Sequence, residues 1–249
     1  MGKETQHGRV RQLIPLKRRR TYDQECGLAY ALDVVGERWT LLIIRELLLR
    51  PRRYHELAEA LPGIGTNLLA DRLALLTEVG LIEPIVQGRR TGGYTLTELG
   101  RTLHEPILGL ARFGLAVGAN QPARSDAAVR PAWAALAIEA MVDDRRAPGV
   151  DQAYQFDVGG EVFYIAVADG HARVHIGAAQ DPALVISTDA RTFFGLGLGH
   201  IDPIEALVGG AVHMTGAPAA VSQCLQLIGL GGADARPEAT LTGAASIKQ

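Results

Sequence analysis

Residues 52–84 read RRYHELAEALPGIGTNLLADRLALLTEVGLIEP, and they decide the fold of the first half of the chain. Tyr54, Leu57, Ala58 and Leu61 recur at helical spacing and predict a short helix. Pro62 and Gly63 predict a tight turn. Leu69, Leu73 and Leu76 predict a longer helix over about Thr66 to Val79, ended by Gly80. Two helices joined by a short glycine-containing turn define a helix-turn-helix.

Upstream, Asp23 is placed to cap a helix with Leu28, Ala31, Leu32 and Val35 on one face, closed by Gly36. Trp39, Leu42, Ile43 and Leu47 predict a second helix that stops at Arg50, before Pro51. Downstream, Leu81–Val86 and Tyr94–Leu96 read as two strands around the glycine-rich basic turn GRRTGG, residues 88–93. Thr97 then caps a long helix reaching about Val117. The first half is therefore expected to be a mainly α winged helix-turn-helix domain.

In such a domain the second helix of the motif enters the major groove with its N-terminal residues toward the bases. Here those residues are Thr66, Asn67 and Leu68. An Asn side chain matches both hydrogen-bonding atoms of adenine, and Thr offers a hydroxyl. Arg89, Arg90 and Thr91 on the wing, and Arg52 and Arg53 before the short helix, are candidate phosphate contacts. Arg72 has two readings, a DNA contact or an internal salt bridge.

Charge separates the two halves. Residues 1–124 hold 18 Lys+Arg against 13 Asp+Glu, a balance of +5; residues 125–249 hold 7 against 14, a balance of −7. A basic half joined to an acidic one fits a nucleic-acid module fused to something else. The expected organisation is a flexible basic arm at 1–21, the winged domain at 22–118, a polar linker at 119–126, a second domain at 127–230 and a tail at 231–249. No apolar run reaches the roughly 20 residues that span a bilayer, and no leader pattern opens the chain. The two cysteines, Cys26 and Cys224, are far apart and belong to no CxxC pair. The expected location is the cytoplasm, with no membrane partner.

The second half reads as α+β. A helix is expected over about Pro131 to Arg145, then strands at Tyr154–Val158, Glu161–Ala168, Ala172–Gly177 and Ala183–Ser187, with Asp169 and Gly170 as a two-residue turn. Helices near Phe193–Leu198 and Ile204–Val208, a strand at Ala211–Thr215 and a last helix at Pro218–Leu230 complete it. No catalytic set is readable, so an enzyme is not expected, nor a cofactor. His171 and His175 alone fall short of the three or four ligands of a metal site. Apolar residues dominate instead. Trp133, Met141, Phe156, Phe163, Phe193, Phe194, Leu198 and Met214 are the candidate lining of an apolar pocket, each also a candidate for plain core.

The segments CGLAYALDVVGERWTLLIIREL, RRYHELAEALPGIGTNLLADRLALLTEVGLIEP and YTLTELG resemble the HxlR-type regulators almost continuously over residues 23–117. The resemblance implies a homodimer, built by the first and last helices of the domain, on a two-fold symmetric operator. This chain departs from the family pattern at Gly65, where Ser is usual, in a shorter wing without prolines, and at Ala74 and Leu75, where polar residues are usual. Some relatives use a cysteine near Cys26 as an oxidant or electrophile sensor. Residues 128–230, through Asp202, Pro203, Glu205 and Ala206 followed by Gly210 and Gly216, resemble the sterol-carrier-protein-like domain. That resemblance implies a sheet covered by helices around an apolar tunnel for a hydrophobic molecule.

The functional expectation is a dimeric regulator, with repression the expected sign, that binds double-stranded DNA and senses a hydrophobic small molecule. Two alternatives stand beside it: a thiol-switch regulator acting through Cys26, and a hydrophobic-ligand carrier whose first half only dimerises.

Overall fold

Ile43, Ile44, Leu57, Leu69 and Leu76 have no solvent exposure, and their helical spacing explains how the first core forms. They are placed in a computed structural model that describes residues 21–87 and 90–230, and the backbone alone at 87, 90 and 91. The arm at 1–20, Gly88 and Arg89 of the wing, and the tail at 231–249 lie outside the described residues. The chain divides into two compact units, residues 1–107 and 108–249.

The first unit begins with α1 (Gly27–Val35), α2 (Thr40–Leu49), α3 (Tyr54–Ala60) and α4 (Thr66–Glu78). Strands β1 (Ile82–Gln87) and β2 (Arg90–Leu96) follow as an antiparallel hairpin with an irregularity at Ile85/Val86. Arg52 bridges to Tyr94, so the hairpin is tied by its base to the residues before α3. Gly93 permits this approach, because a Cβ there would come 2.8 Å from the Arg52 carbonyl oxygen.

Three expectations are corrected in this unit. α1 starts at Gly27 with Cys26 at its N-cap, so Asp23 lies too far upstream to cap it. The face expected to turn inward is mostly outside: Leu28 is 68% exposed and Leu32 38%, while Ala29 and Val35 are buried. Thr97 does cap a helix, its hydroxyl accepting the Gly100 amide at 3.1 Å, but α5 (Glu98–Arg101) is short. A separate α6 (His104–Gly118) follows. Pro106 explains the break, since its ring blocks the carbonyl of residue 102 and it has no N–H to donate.

In the second unit a 3-10 turn at Pro131–Trp133 leads into α7 (Ala134–Met141). Then come β3 (Gln152–Val158), β4 (Glu161–Ala168), β5 (His171–Ile176) and β6 (Leu184–Thr188). They are followed by α8 (Ala190–Gly197), α9 (Pro203–Val208), β7 (Val212–Gly216) and α10 (Pro218–Leu227). The sheet order is β5-β4-β3-β6-β7; β3 and β6 run parallel and the other pairs antiparallel. Asp169 and Gly170 both take positive φ, 51° and 73°, as the two-residue hairpin requires.

Strand alternation sets the second core. Tyr154, Phe156, Val158, Phe163, Ile165, Val167, Leu184 and Ile186 all turn to one face and are buried. Ile138 of α7, Ala206 of α9, and Cys224 and Leu227 of α10 pack on that face. Phe156 and Phe163 sit opposite each other in register and stack at 5.2 Å. This unit is α+β, with helices and a five-stranded sheet.

Candidate nucleic-acid interface and second-unit cavities

Helix α4 presents its first turn to solvent. Thr66 and Asn67 are exposed and Leu68 is half-buried, while Leu69, Leu73 and Leu76 anchor the helix in the core. Gly65 stands at the N-cap and supplies no side-chain cap. The first amides of α4 are thus left for solvent or an anion. Asn67 lies inside the first turn rather than at the cap. The Tyr54 hydroxyl donates to the Thr66 carbonyl at 2.7 Å and fixes the start of α4 against α3.

Arg53 precedes α3 with its side chain exposed. Its backbone N–H donates to Glu56 at 2.7 Å. That bond, with the Arg50 guanidinium 2.8 Å away, holds the Glu56 carboxyl below its usual range. Arg50, Arg53 and His55 line a polar cleft of about 370 Å³ whose other wall is Gly92 and Gly93 at the base of the wing. Arg50 and His55 were not singled out in the sequence, where nothing marks them as neighbours of the wing.

Arg52 turns the other way. It is 7% exposed and ion-paired with fully buried Glu46 at 3.1 Å, with Arg45 on the second carboxylate oxygen at 2.8 Å. Arg52 still borders the cleft that Arg50 and Arg53 line, with its guanidinium held back on Glu46. Arg72, midway along α4, pairs with Glu37 at 3.0 Å, the internal salt bridge of its two readings. Arg89 lies outside the described residues, and Arg90 and Thr91 are described by their backbone alone, as part of β2.

Cys26 is exposed. Amides in the first turn of α1, Ala29 first and then Leu28, stabilise its thiolate and hold the pKa below the ordinary thiol value. Cys224 is the opposite case: burial pushes its thiol up to about 12.

The eight residues expected to line one pocket divide in the second unit. Trp133, Phe194 and Leu198 border a cleft of about 700 Å³. Met141, Phe156, Phe193 and Met214, with Phe194 again, border a cavity of only about 80 Å³ between α7, α8 and the sheet. Phe163 borders neither and is core. The larger cleft is also bordered by residues that the sequence reading did not assign to a pocket: Phe113 and Val117 of α6, and residues 121–125 and 127–129. Helical spacing within α6 was the one signal that could have found the first two.

Helices α3 and α4 with the β1–β2 wing make the first unit a winged helix-turn-helix. The chain belongs to the HxlR-like helix-turn-helix family, whose family profile matches residues 34–121. An uncharacterized HTH-type transcriptional regulator of Mycobacterium tuberculosis H37Rv is 45% identical over 86 residues, 34% of this chain and 54% of that one. This chain thus spans about half the length of that curated relative. The HTH-type transcriptional regulator YodB of Bacillus subtilis is 37% identical over 75 residues, 29% of this chain and 67% of YodB. A solved transcriptional regulator of Porphyromonas gingivalis W83, described as of the MarR family, is 35% identical. The match covers 39% of this chain and 97% of that one, with a TM-score of 0.36. Both curated relatives are named as HTH-type transcriptional regulators. Among the described residues no helix is long and apolar enough to cross a membrane.

Proposed function

We propose that the protein is a dimeric, sequence-specific DNA-binding transcription regulator, acting as a repressor, whose second unit takes up a hydrophobic small molecule. The observation that carries the reading is the first turn of α4, where exposed Thr66 and Asn67 combine with uncapped amides. Asn67 and Thr66 read bases, Leu68 packs against the groove, and Arg53 with Arg50 meets the phosphates beside the wing. Arg89, Arg90 and Thr91 extend the same role at the wing.

Exposed Leu28 and Leu32, one turn apart on α1, support a second copy of the chain as the partner that covers them. The order β6, α8, α9, β7, α10, with Asp202 capping α9 through the amides of Ile204 and Glu205, supports the sterol-carrier-protein-like reading. Ligand then shifts DNA affinity to the extent that it binds the free and DNA-bound forms differently.

Fluorescence anisotropy on the duplex adjacent to the protein's own coding region tests the DNA reading. Tighter binding than to a shuffled duplex of the same composition is expected; equal binding refutes it.

A second reading follows from Cys26, whose exposed, acidified thiol suits a redox or electrophile sensor. It predicts that Cys26→Ser keeps basal DNA binding and loses the response to a quinone or peroxide.

A further inference from the structure

The 700 Å³ cleft lies wholly in the second unit and is chemically unlike the cavity beneath the sheet. Its walls are apolar and partly aromatic: Phe113 and Val117 from α6, Trp133, Phe194 from α8, and Leu198 and Ile201 just beyond. Its volume falls within the range of sites that hold drug-sized ligands, about 300–1,000 Å³.

The segment bordering it is pinned by His200. One ring nitrogen, Nε2, lies 3.2 Å from the Gly118 carbonyl oxygen and 3.0 Å from that of Gln121. Two carbonyl oxygens can share that nitrogen only if it carries the hydrogen, so Nε2 is the donor to both.

The polar residues on the cleft carry the inference. Arg124 and Arg191 both border it, and no Asp or Glu does. This is against the local trend, since residues 124–249 hold 14 acids and 8 bases. Among the described residues neither arginine has a carboxylate within ion-pairing distance. Arg191 reaches only the Ala127 carbonyl oxygen at 3.4 Å, which places its guanidinium at the cleft wall. A neutral hydrophobe would fill the apolar wall and leave both cations without a partner. A cationic ligand would be repelled by them.

We infer that this cleft binds an amphipathic organic anion, with an aromatic or alicyclic body against Phe113, Trp133 and Phe194 and a carboxylate or sulfonate met by Arg191 and Arg124. The guanidinium fork can accept two oxygens of either head group in parallel hydrogen bonds. The inference rests on the proposed uptake of a hydrophobic molecule and adds its charge and its location.

The test uses the full chain and two isosteric probes, 2-naphthoate and 2-naphthamide, in isothermal titration calorimetry. Naphthoate is expected to bind about tenfold or more tighter than the neutral amide. In the Arg124→Gln/Arg191→Gln double variant the two affinities are expected to converge on that of naphthamide. The double Lys variant is expected to keep part of the preference. Equal affinities in the unaltered protein would overturn the inference and leave hydrophobic uptake standing. A preference that survives the double Gln variant would also overturn it, by placing the anion elsewhere. Failure of both probes to bind would remove the uptake reading and this inference with it.

Discussion

Arg52 donates to Glu46 across 3.1 Å, and both side chains are withdrawn from solvent, at 8% and 0% exposure. Arg52 also pairs through its backbone with Tyr94 of β2, at 3.1 and 2.8 Å. One residue thus ties α2 to the wing. Removing only the acid takes its carboxylate away from a buried guanidinium, and breaking a buried pair in this way costs about 3–5 kcal/mol. Glu46→Ala is therefore expected to lower the stability of the first unit by about that amount in urea unfolding. The readout is the emission of Trp39 in a Trp133→Phe background. A change below about 1 kcal/mol would show that the pair is not held as described.

The Arg72–Glu37 pair should behave differently, because Glu37 is 57% exposed at its side chain and water screens it. Glu37→Gln is expected to change stability by less than about 1 kcal/mol. The pair ties α4 to the turn between α1 and α2, so DNA affinity should fall modestly with an unchanged salt dependence. A salt slope steeper by about one in the variant would instead place the released Arg72 on a phosphate.

These two arginines mark where the sequence stops being informative. Period and turn chemistry located nearly every element: Leu69, Leu73 and Leu76 are buried as their spacing predicts, and Asp169-Gly170 turns the hairpin it predicts. Charge does not carry its own address. Arg52 and Arg53 are adjacent and alike, yet one is buried on Glu46 and the other is exposed, because alternate residues before a helix face opposite ways. The apolar face of α1 was legible as a face, but spacing does not distinguish an intramolecular core from a surface another chain can cover. The cleft was least legible, since α8 meets there with α6 and the residues that follow α6, from which it is far apart in sequence.

Leu28 and Leu32 give the dimer prediction. A carboxylate in place of Leu28 leaves the monomer's core untouched, because that side chain lies outside it. Leu28→Glu is expected to yield a monomer by light scattering and to weaken operator binding at least about tenfold, since two half-sites are then no longer bound together. A Leu28→Glu variant that remains a dimer would move the interface off this face of α1.

The two thiols differ in opposite directions. At pH 7 iodoacetamide should alkylate Cys26 first, while Cys224 should react only on unfolding. For Cys224 the folded pKa, pushed up to about 12, exceeds the unfolded value of 9.0. The folded chain keeps its proton after the unfolded chain has lost its own. Stability is thus unaffected below about pH 9 and falls as pH rises from there toward 12, by about 1.4 kcal/mol per pH unit. Tyr154, also pushed up to about 12 by burial, steepens the loss above about pH 10. Cys224→Ala should remove the first slope, and unfolding midpoints between pH 8 and 11 check it.

On the proposed reading, the first turn of α4 reads bases while Arg53 holds the backbone. The most direct test is a salt series of binding by the full chain to the duplex beside its own coding region and to a shuffled duplex, comparing the unaltered protein with Asn67→Ala and Arg53→Gln. Asn67→Ala is expected to shrink the preference for the specific duplex by about 1–3 kcal/mol and to spare binding to the shuffled one. Arg53→Gln should weaken both duplexes alike and reduce the salt slope by about one. An unchanged preference in Asn67→Ala would instead mean that α4 is not the element that reads the sequence.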